Sequence, residues 1–304
     1  MSVVERYQSF KESEQANRYR EEALRFAWRF RQNPMSLFGL GMILLLILIA
    51  IFAPYIAPNP AHAGWRGEPA VDFGNAWHEP SLAHPFGTDQ AGRDILSRVI
   101  FGTRLSLILG LVVLTIAIGI GVPLGLIAGY VGGIPSTIIM RTTDVFLSVP
   151  PLVLALAVTV PLQPGLVTAM LAISIVWWPW YTRLVYGEVV SVREQDFVEA
   201  SRGLGTGRLR IIFREILPNV TAPITVKFSL DMGYAILVGA GLGFLGLGAQ
   251  PPTPEWGTMV AQGRIHLPDR WWLSTFPGLA IFLTVLAFNF LGDGLRDIFD
   301  VEVD

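Results

Sequence analysis

Few residues in this sequence are equipped for bond chemistry. The 304 residues include no cysteine, which removes thiol nucleophiles, disulfides and thiolate metal sites. The four histidines, His62, His78, His84 and His266, follow no metal-ligand spacing and read as ordinary loop histidines. A phosphate-cradling loop needs Gly-x4-Gly-Lys-Ser/Thr, yet the two lysines, Lys11 and Lys227, precede Glu12 and Phe228. The chain is therefore expected to bind no nucleotide and no cofactor itself. It also lacks His-Glu-x-x-His, a Gly-x-Ser-x-Gly elbow and paired aspartates in an apolar run, so an intramembrane protease is not supported.

What remains is charge placed where charge is costly. Lys227 and Asp231 stand i,i+4 in one apolar stretch, and Arg141 and Asp144 stand i,i+3 in another, so each pair can neutralise itself on a helix. Asp231 lies deeper, beside Met232 and Gly233. Asp231, Met232 and Asp144 are thus the candidate pathway-lining residues, against the plainer reading of mutual neutralisation or contact with a second subunit.

The elements that carry these residues are membrane spans. Hydrophobic residues make up 52% and charged residues 15% of the chain, against about 25% charged in a soluble domain. Leu37–Ala57 and Leu105–Met140 are free of charge, as is Val145–Thr182. About 20 apolar residues suffice to cross a bilayer, so some of these runs hold two spans. Six helices are expected: Leu37–Ala57, Leu105–Ala128, Ile134–Val160 with a kink at Pro150-Pro151, Leu166–Gly187, Val220–Gly248 and Leu273–Leu291. The Gly239–Gly248 run offers a face of small residues for close helix packing or a gate. The first apolar run starts after some 35 polar residues and is too long for a cleaved leader, so no signal peptide is expected.

Orientation follows from basic residues. Arg6, Lys11, Arg18, Arg20, Arg25, Arg29 and Arg31 crowd the N-terminal tail. Arg183, Arg193, Arg202, Arg208, Arg210 and Arg214 crowd the fourth connection. The outer connections, Pro58–Phe101 and Gln250–Trp272, hold three and two. The resulting plan is a cytoplasmic tail (1–36), a first span (37–57), an outer loop (58–101), a five-helix core (102–297) enclosing a cytoplasmic loop (193–218), and a cytoplasmic C-tail (298–304). No broad basic face suits nucleic acid. Trp177, Trp178, Trp180, Tyr181 and Trp271-Trp272 read as interfacial anchors.

The cytoplasmic loop is the most informative segment. In Asp196–Asn219, Asp196 and Glu199 form a capping-box pattern that predicts a helix from Phe197. Phe197, Ala200-Ser201 and Leu204 share a face, Gly203 and Gly205 end the helix, and a second amphipathic stretch through Leu209, Ile212-Phe213 and Ile216-Leu217 runs to Pro218. Such an apolar stripe packs either under the membrane domain or into a partner's groove.

This segment resembles the EAA motif of ABC import permeases, through Glu199-Ala200-Ser201, Gly205, Ile212 and Leu217-Pro218. Ser201 stands where a second Ala is frequent, and Glu215 where many relatives carry His. HPFGTDQAGRDILSRVIFGTRLSL (His84–Leu107), GVPLGLIAGYVGG (Gly121–Gly133) and DVFLSVPPLVLALAV (Asp144–Val158) resemble the dipeptide/oligopeptide/nickel branch, and in particular its second permease. So do GLGFLGLGAQPPTPEWG (Gly241–Gly257) and FPGLAIFLTVLAFNFLGDGLRD (Phe276–Asp297). The resemblance implies an all-α type I importer permease of six spans in a bacterial or archaeal inner membrane, with both termini cytoplasmic. It also implies a homologous second permease, two cytosolic ATPases that bind ATP, an external solute-binding protein and surrounding lipid. Phe197, Val198, Glu199, Ala200, Ser201 and Gly205 would dock the ATPase. The implied cargo is short peptides, with oligosaccharides, nickel chelates or glutathione as alternatives; a channel or ion-coupled carrier would not need a docking helix.

Overall fold

In the computed structural model, residues 28, 30–64 and 67–300 are described. Arg6, Lys11, Arg18, Arg20, Arg25 and Arg29 of the basic tail lie outside them, as do the last four residues of the C-tail.

The main helices are α1 (Pro34–Ile56), α2 (Ile95–Val131), α3 (Gly133–Leu147), α4 (Pro151–Thr159), α5 (Leu166–Val192) and α6 (Asp196–Gly203). After them come α7 (Arg208–Ile211), a π-helical turn (Ile212–Ile216), α8 (Leu217–Asn219), α9 (Thr221–Phe244), α10 (Trp256–Arg264) and α11 (Trp272–Asp300). Among the described residues no strand is named, and Thr88 and Asp94 form an isolated bridge.

Among the described residues four helices, α1, α2, α9 and α11, are long and apolar enough to cross a membrane, and α3 and α4 reach that length and hydropathy only together, across a 90° bend. The bend falls at Val149-Pro150-Pro151, because a residue before proline avoids helical backbone and proline supplies no N–H. Helix α5, with 27 residues, is also long enough to cross. Its Trp177-Trp178-Pro179-Trp180-Tyr181 run and Arg183 lower its mean hydropathy, and it matches the expected fourth span, Leu166–Gly187.

Helix α2 starts ten residues earlier than its charge-free run predicts. Asp94 caps it, accepting from Ser97 N at 2.8 Å, and Arg98 in the second turn is buried 3.8 Å from Asp89. Its 37 residues run about 55 Å, well beyond the ~30 Å hydrocarbon layer. The first turns therefore stand in the layer built from the 58–94 connection. There His62 Nδ1 accepts from Asp94 N at 3.1 Å, and His84 Nδ1 lies 3.0 Å from Asp94 Oδ1.

Helices α2 and α5 meet along a glycine seam. A Cβ on Gly121 would lie 2.5 Å from Trp178 O, on Gly125 2.7 Å from Val185 Cβ, and on Gly129 2.6 Å from Val189 Cβ. Spacing of four residues keeps all three on one face, so the backbones touch. Thr182 Oγ1 donates across the seam to Gly121 O at 3.2 Å. The main core lies beside it, where Leu109, Val113 and Leu114 of α2 meet Ile173 and Val176 of α5 and Ala235, Ile236 and Leu242 of α9. The small-residue run of α9 divides its faces: Gly239 abuts Leu109, whereas Gly241 has only Leu152 at 3.8 Å. Helix α10 starts where Glu255 accepts from Gly257 N and Thr258 N, both at 2.8 Å. Burial there pushes the Glu255 carboxyl above the usual carboxylate range, against these bonds.

Two expected interfacial tryptophans are instead buried. Trp272 donates to Thr88 O at 3.2 Å, and Trp177 sits inside the bundle. An indole N–H with a partner is more stable inside than at a headgroup boundary.

Candidate functional site

Two places stand out by their geometry: the loop beyond α5 and a half-open charged pocket between α5 and α9. The loop lies at the Val131 end of α2, opposite the 58–94 layer, since Arg193 Nη1 donates to Gly129 O at 2.7 Å and the Arg202 guanidinium lies 5.1 Å over Tyr130.

Helix α6 begins one residue before the predicted start, and the expected capping box does not form. Gln195 is the N-cap, without a side-chain bond, and its carbonyl receives Val198 N at 3.0 Å and Glu199 N at 3.2 Å. Asp196 and Glu199 lie in the first turn, where the helix dipole favours them without a hydrogen bond. The C-terminus closes as expected around glycine. Gly205 has φ +75°, its N–H reaches Arg202 O at 2.9 Å, and Thr206 N reaches Ser201 O at 3.1 Å. These two bonds make a Schellman end, whose left-handed position suits glycine.

One apolar side chain of this helix reaches the core. Val198 is fully buried among Val185, Val189 and Val192 of α5 and Ile211, Ile212, Ile216 and Val220 downstream. Phe197, Glu199, Ala200 and Gly205 are exposed, Ser201 is half-buried, and Leu204 is 86% exposed. The predicted stripe thus points outward. Downstream, Ile212 and Ile216 of the second stretch are buried, while Leu209 and Phe213 are exposed. Ser201 Oγ donates to Glu215 Oε1 at 3.2 Å, so the two residues that depart from the EAA pattern bond each other.

The π turn sits just before Pro218. Leu217 N reaches back five residues to Ile212 O. A proline ring crowds the carbonyl four residues earlier, and the wider turn accommodates it.

The second place lies near the middle of the 24-residue α9. Lys227 Nζ donates to Asp231 Oδ1 at 3.2 Å, and Trp177 Nε1 of α5 donates to Asp231 Oδ2 at 3.1 Å. The ammonium also lies 5.6 Å from the Trp180 ring centre and 5.5 Å from that of Tyr181. Pro151, Trp177, Trp180, Lys227, Asp231 and Tyr234 line a half-open cavity of about 390 Å³.

The other expected lining residues are placed elsewhere. Met232 is buried in the main core, where its side chain covers Gly110 of α2. One position along a helix turns a side chain by about 100°, which takes Met232 off the face of Asp231. Asp144 pairs with Arg183 of α5 rather than with Arg141, because α3 packs along α5 and a lateral partner lies closer than the next turn. The aromatic walls were missed because tryptophan was read as an interfacial marker. Their signal was position: Trp177 falls mid-span.

The chain resembles known proteins over nearly its whole length. The family described as "Binding-protein-dependent transport system inner membrane component" matches residues 121–304. That described as "N-terminal TM domain of oligopeptide transport permease C" matches residues 23–75. The dipeptide transport system permease protein DppC of Escherichia coli (strain K12) is 48% identical over 276 residues, 90% of this chain and 91% of that one. The probable D,D-dipeptide transport system permease protein DdpC of the same strain is 44% identical over 91% of this chain and 90% of that one. The glutathione transport system permease protein GsiD of Escherichia coli O6:K15:H31 is 43% identical over 90% and 89%. Among solved structures, an inward-facing MetNI methionine ABC transporter chain superposes with TM-score 0.56 at 18% identity, over 66% of this chain and 96% of that one.

Proposed function

The chain belongs to the family of binding-protein-dependent transport system inner membrane components, and from that premise we propose that it is one of two transmembrane permease subunits of an ATP-driven importer of di- and oligopeptides. It performs no bond chemistry. It forms half of the translocation pathway with a homologous second permease. Two cytosolic ATPases bind and hydrolyse ATP, and an external solute-binding protein delivers cargo to the 58–101 side.

The observation that carries this reading is the outward face of α6. A helix whose buried apolar anchor is Val198, with Phe197, Ala200 and Leu204 left exposed, is built to be covered by a partner. Phe197, Val198, Glu199, Ala200, Ser201 and Gly205 form that docking element, and its tie to α5 and α9 passes ATPase movement to the spans. Asp231 lines the pathway, and Asp144 holds α3 to α5 beside it.

Reconstitution tests the assignment. Proteoliposomes holding this chain, its sister permease and both ATPases should accumulate labelled dipeptide only with ATP inside the reach of the ATPases and binding protein on the other side. Uptake driven by an ion gradient alone, without ATP, would overturn it.

The orientation has its own test. The N-tail and the 183–218 segment face the cytoplasm, because basic residues concentrate there. The chain has no cysteine, so single replacements at Ser2, Ser81 and Ser201 give a clean background. An impermeant thiol reagent on intact cells should label position 81 and spare 2 and 201. Labelling of 2 but not 81 reverses the topology.

A further inference from the structure

We propose that the Lys227–Asp231 pair and its aromatic walls form a transit site for a zwitterionic short peptide, the peptide carboxylate resting on Lys227 and its ammonium on Asp231. The inference rests on the permease reading above and names the chemistry by which the pathway would hold its cargo.

Four observations carry it. First, the pair is not sealed: the Lys227 and Asp231 side chains are 23% and 12% exposed, and the exposed part opens into the cavity. A charge near the centre of a span is retained only where protein or water faces it, so the cavity mouth opens on protein or water and not on lipid tails. Second, the volume of about 390 Å³ lies within the ~300–1,000 Å³ range of small-molecule sites, yet admits nothing as large as a folded chain. Third, the chemistry is that of a free peptide's two ends. Asp231 presents a carboxylate held by Trp177 Nε1, and Lys227 presents an ammonium over the Trp180 and Tyr181 rings. Trp180, Tyr234 and Pro151 line the same cavity and offer apolar contact to side chains of any kind.

Fourth, both charges stand on one helix at i,i+4, so their mutual bond can open by rotamer change without moving any helix. The internal pair then occupies the site when no peptide does, and a peptide replaces it charge for charge. Such an exchange leaves no lone charge in the membrane at any stage. It also keeps the hold weak, which suits a site that must release what it takes.

Saturation-transfer NMR on the complete transporter in nanodiscs, without binding protein, tests the site directly. The probes are L-alanyl-L-alanine and its doubly capped form, N-acetyl-L-alanyl-L-alanine amide. The free dipeptide should give a signal, and capping should weaken its apparent affinity about tenfold or more, since each charge-assisted hydrogen bond lost is worth roughly that factor. The double neutral variant Lys227→Gln/Asp231→Asn leaves no unpaired charge and should assemble with its partners. In it the dipeptide signal should fall to that of the capped form, and maximal uptake should drop about tenfold while the binding protein's own affinity stays unchanged. No signal from the free dipeptide, or equal signals from free and capped peptide, overturns the proposal, and neither depends on any variant folding. An assembled double variant with wild-type signal and uptake makes the pair structural only. In each of these cases ATP-driven uptake by the unaltered transporter still stands, so the site can fail while the permease assignment holds.

Discussion

Gly205→Val is expected to abolish coupled uptake while the spans remain assembled. Gly205 holds φ +75°, and a Cβ there would meet nothing within 4 Å. The penalty is therefore conformational and not steric contact with neighbours. A left-handed position costs an ordinary L-residue about 1–2 kcal/mol, and a β-branched one is worse placed still. That is enough to open the two bonds from Gly205 N and Thr206 N that end α6, and to let Leu204 and the exposed face drift. Transport and stimulated ATP hydrolysis in proteoliposomes should both collapse, with the binding protein still loading normally. Gly205→Asn is the informative companion, because asparagine tolerates left-handed backbone and should keep most activity. Glu199→Lys belongs to the same experiment. Glu199 is exposed and caps nothing, so its reversal costs this chain only the ~0.3–1 kcal/mol of the helix dipole, and any large loss of transport reports a partner contact. Full coupled transport by Gly205→Val and Glu199→Lys together would remove α6 as the transmission element.

Gly125→Leu should act at the opposite level, on assembly of the membrane domain. The new Cβ would sit 2.7 Å from Val185 Cβ and 2.8 Å from Thr182 O, and one of those atoms is backbone. Neither can step aside, so α2 and α5 must separate along the seam, and the Thr182–Gly121 bond beside it lengthens or breaks. Overpacking a close interface costs typically ~1–3 kcal/mol and more where backbone is pinned, a large share of a marginal stability. The variant should give little monodisperse complex in detergent, and what is purified should melt well below the parent. Gly119→Leu on the same helix is the control, since nothing lies within 4 Å of its Cβ direction. Equal damage from both would mean that glycine content, and not the seam, governs α2.

The sequence was most readable where a physical rule allows a single answer. Long charge-free runs announce spans, adjacent prolines announce the bend after α3, and a glycine after a short amphipathic helix announces a left-handed end. It was least readable where two rules compete for one residue. The charge-free run begins only at Leu105, yet Asp94 caps α2 and Arg98 is buried near Asp89, so the helix starts earlier. Asp196 and Glu199 fit a capping box, yet the Gln195 carbonyl already serves the first turn. Asp144 had an eligible partner three residues away, but the lateral one on α5 prevailed, and spacing along a chain says nothing of lateral neighbours. The apolar stripe of α6 was legible as a face, though not which way it looked, because that depends on the burial of Val198. The seam of Gly121, Gly125 and Gly129 lay in plain view at four-residue spacing and needed only its partner helix to be read.

The π turn at Ile212–Ile216 sets the rotational phase between α6 and α9. Each helical residue advances the chain by about 100°, so deleting one residue here would restore an ordinary turn and swing everything upstream by that angle. Val198 would leave its pocket, and Phe197 and Leu204 would no longer face outward. Length is therefore as informative as identity in this stretch. The exposed side chains Leu209 and Phe213 can be exchanged one for one with local consequences, whereas an insertion or deletion would retime the whole loop.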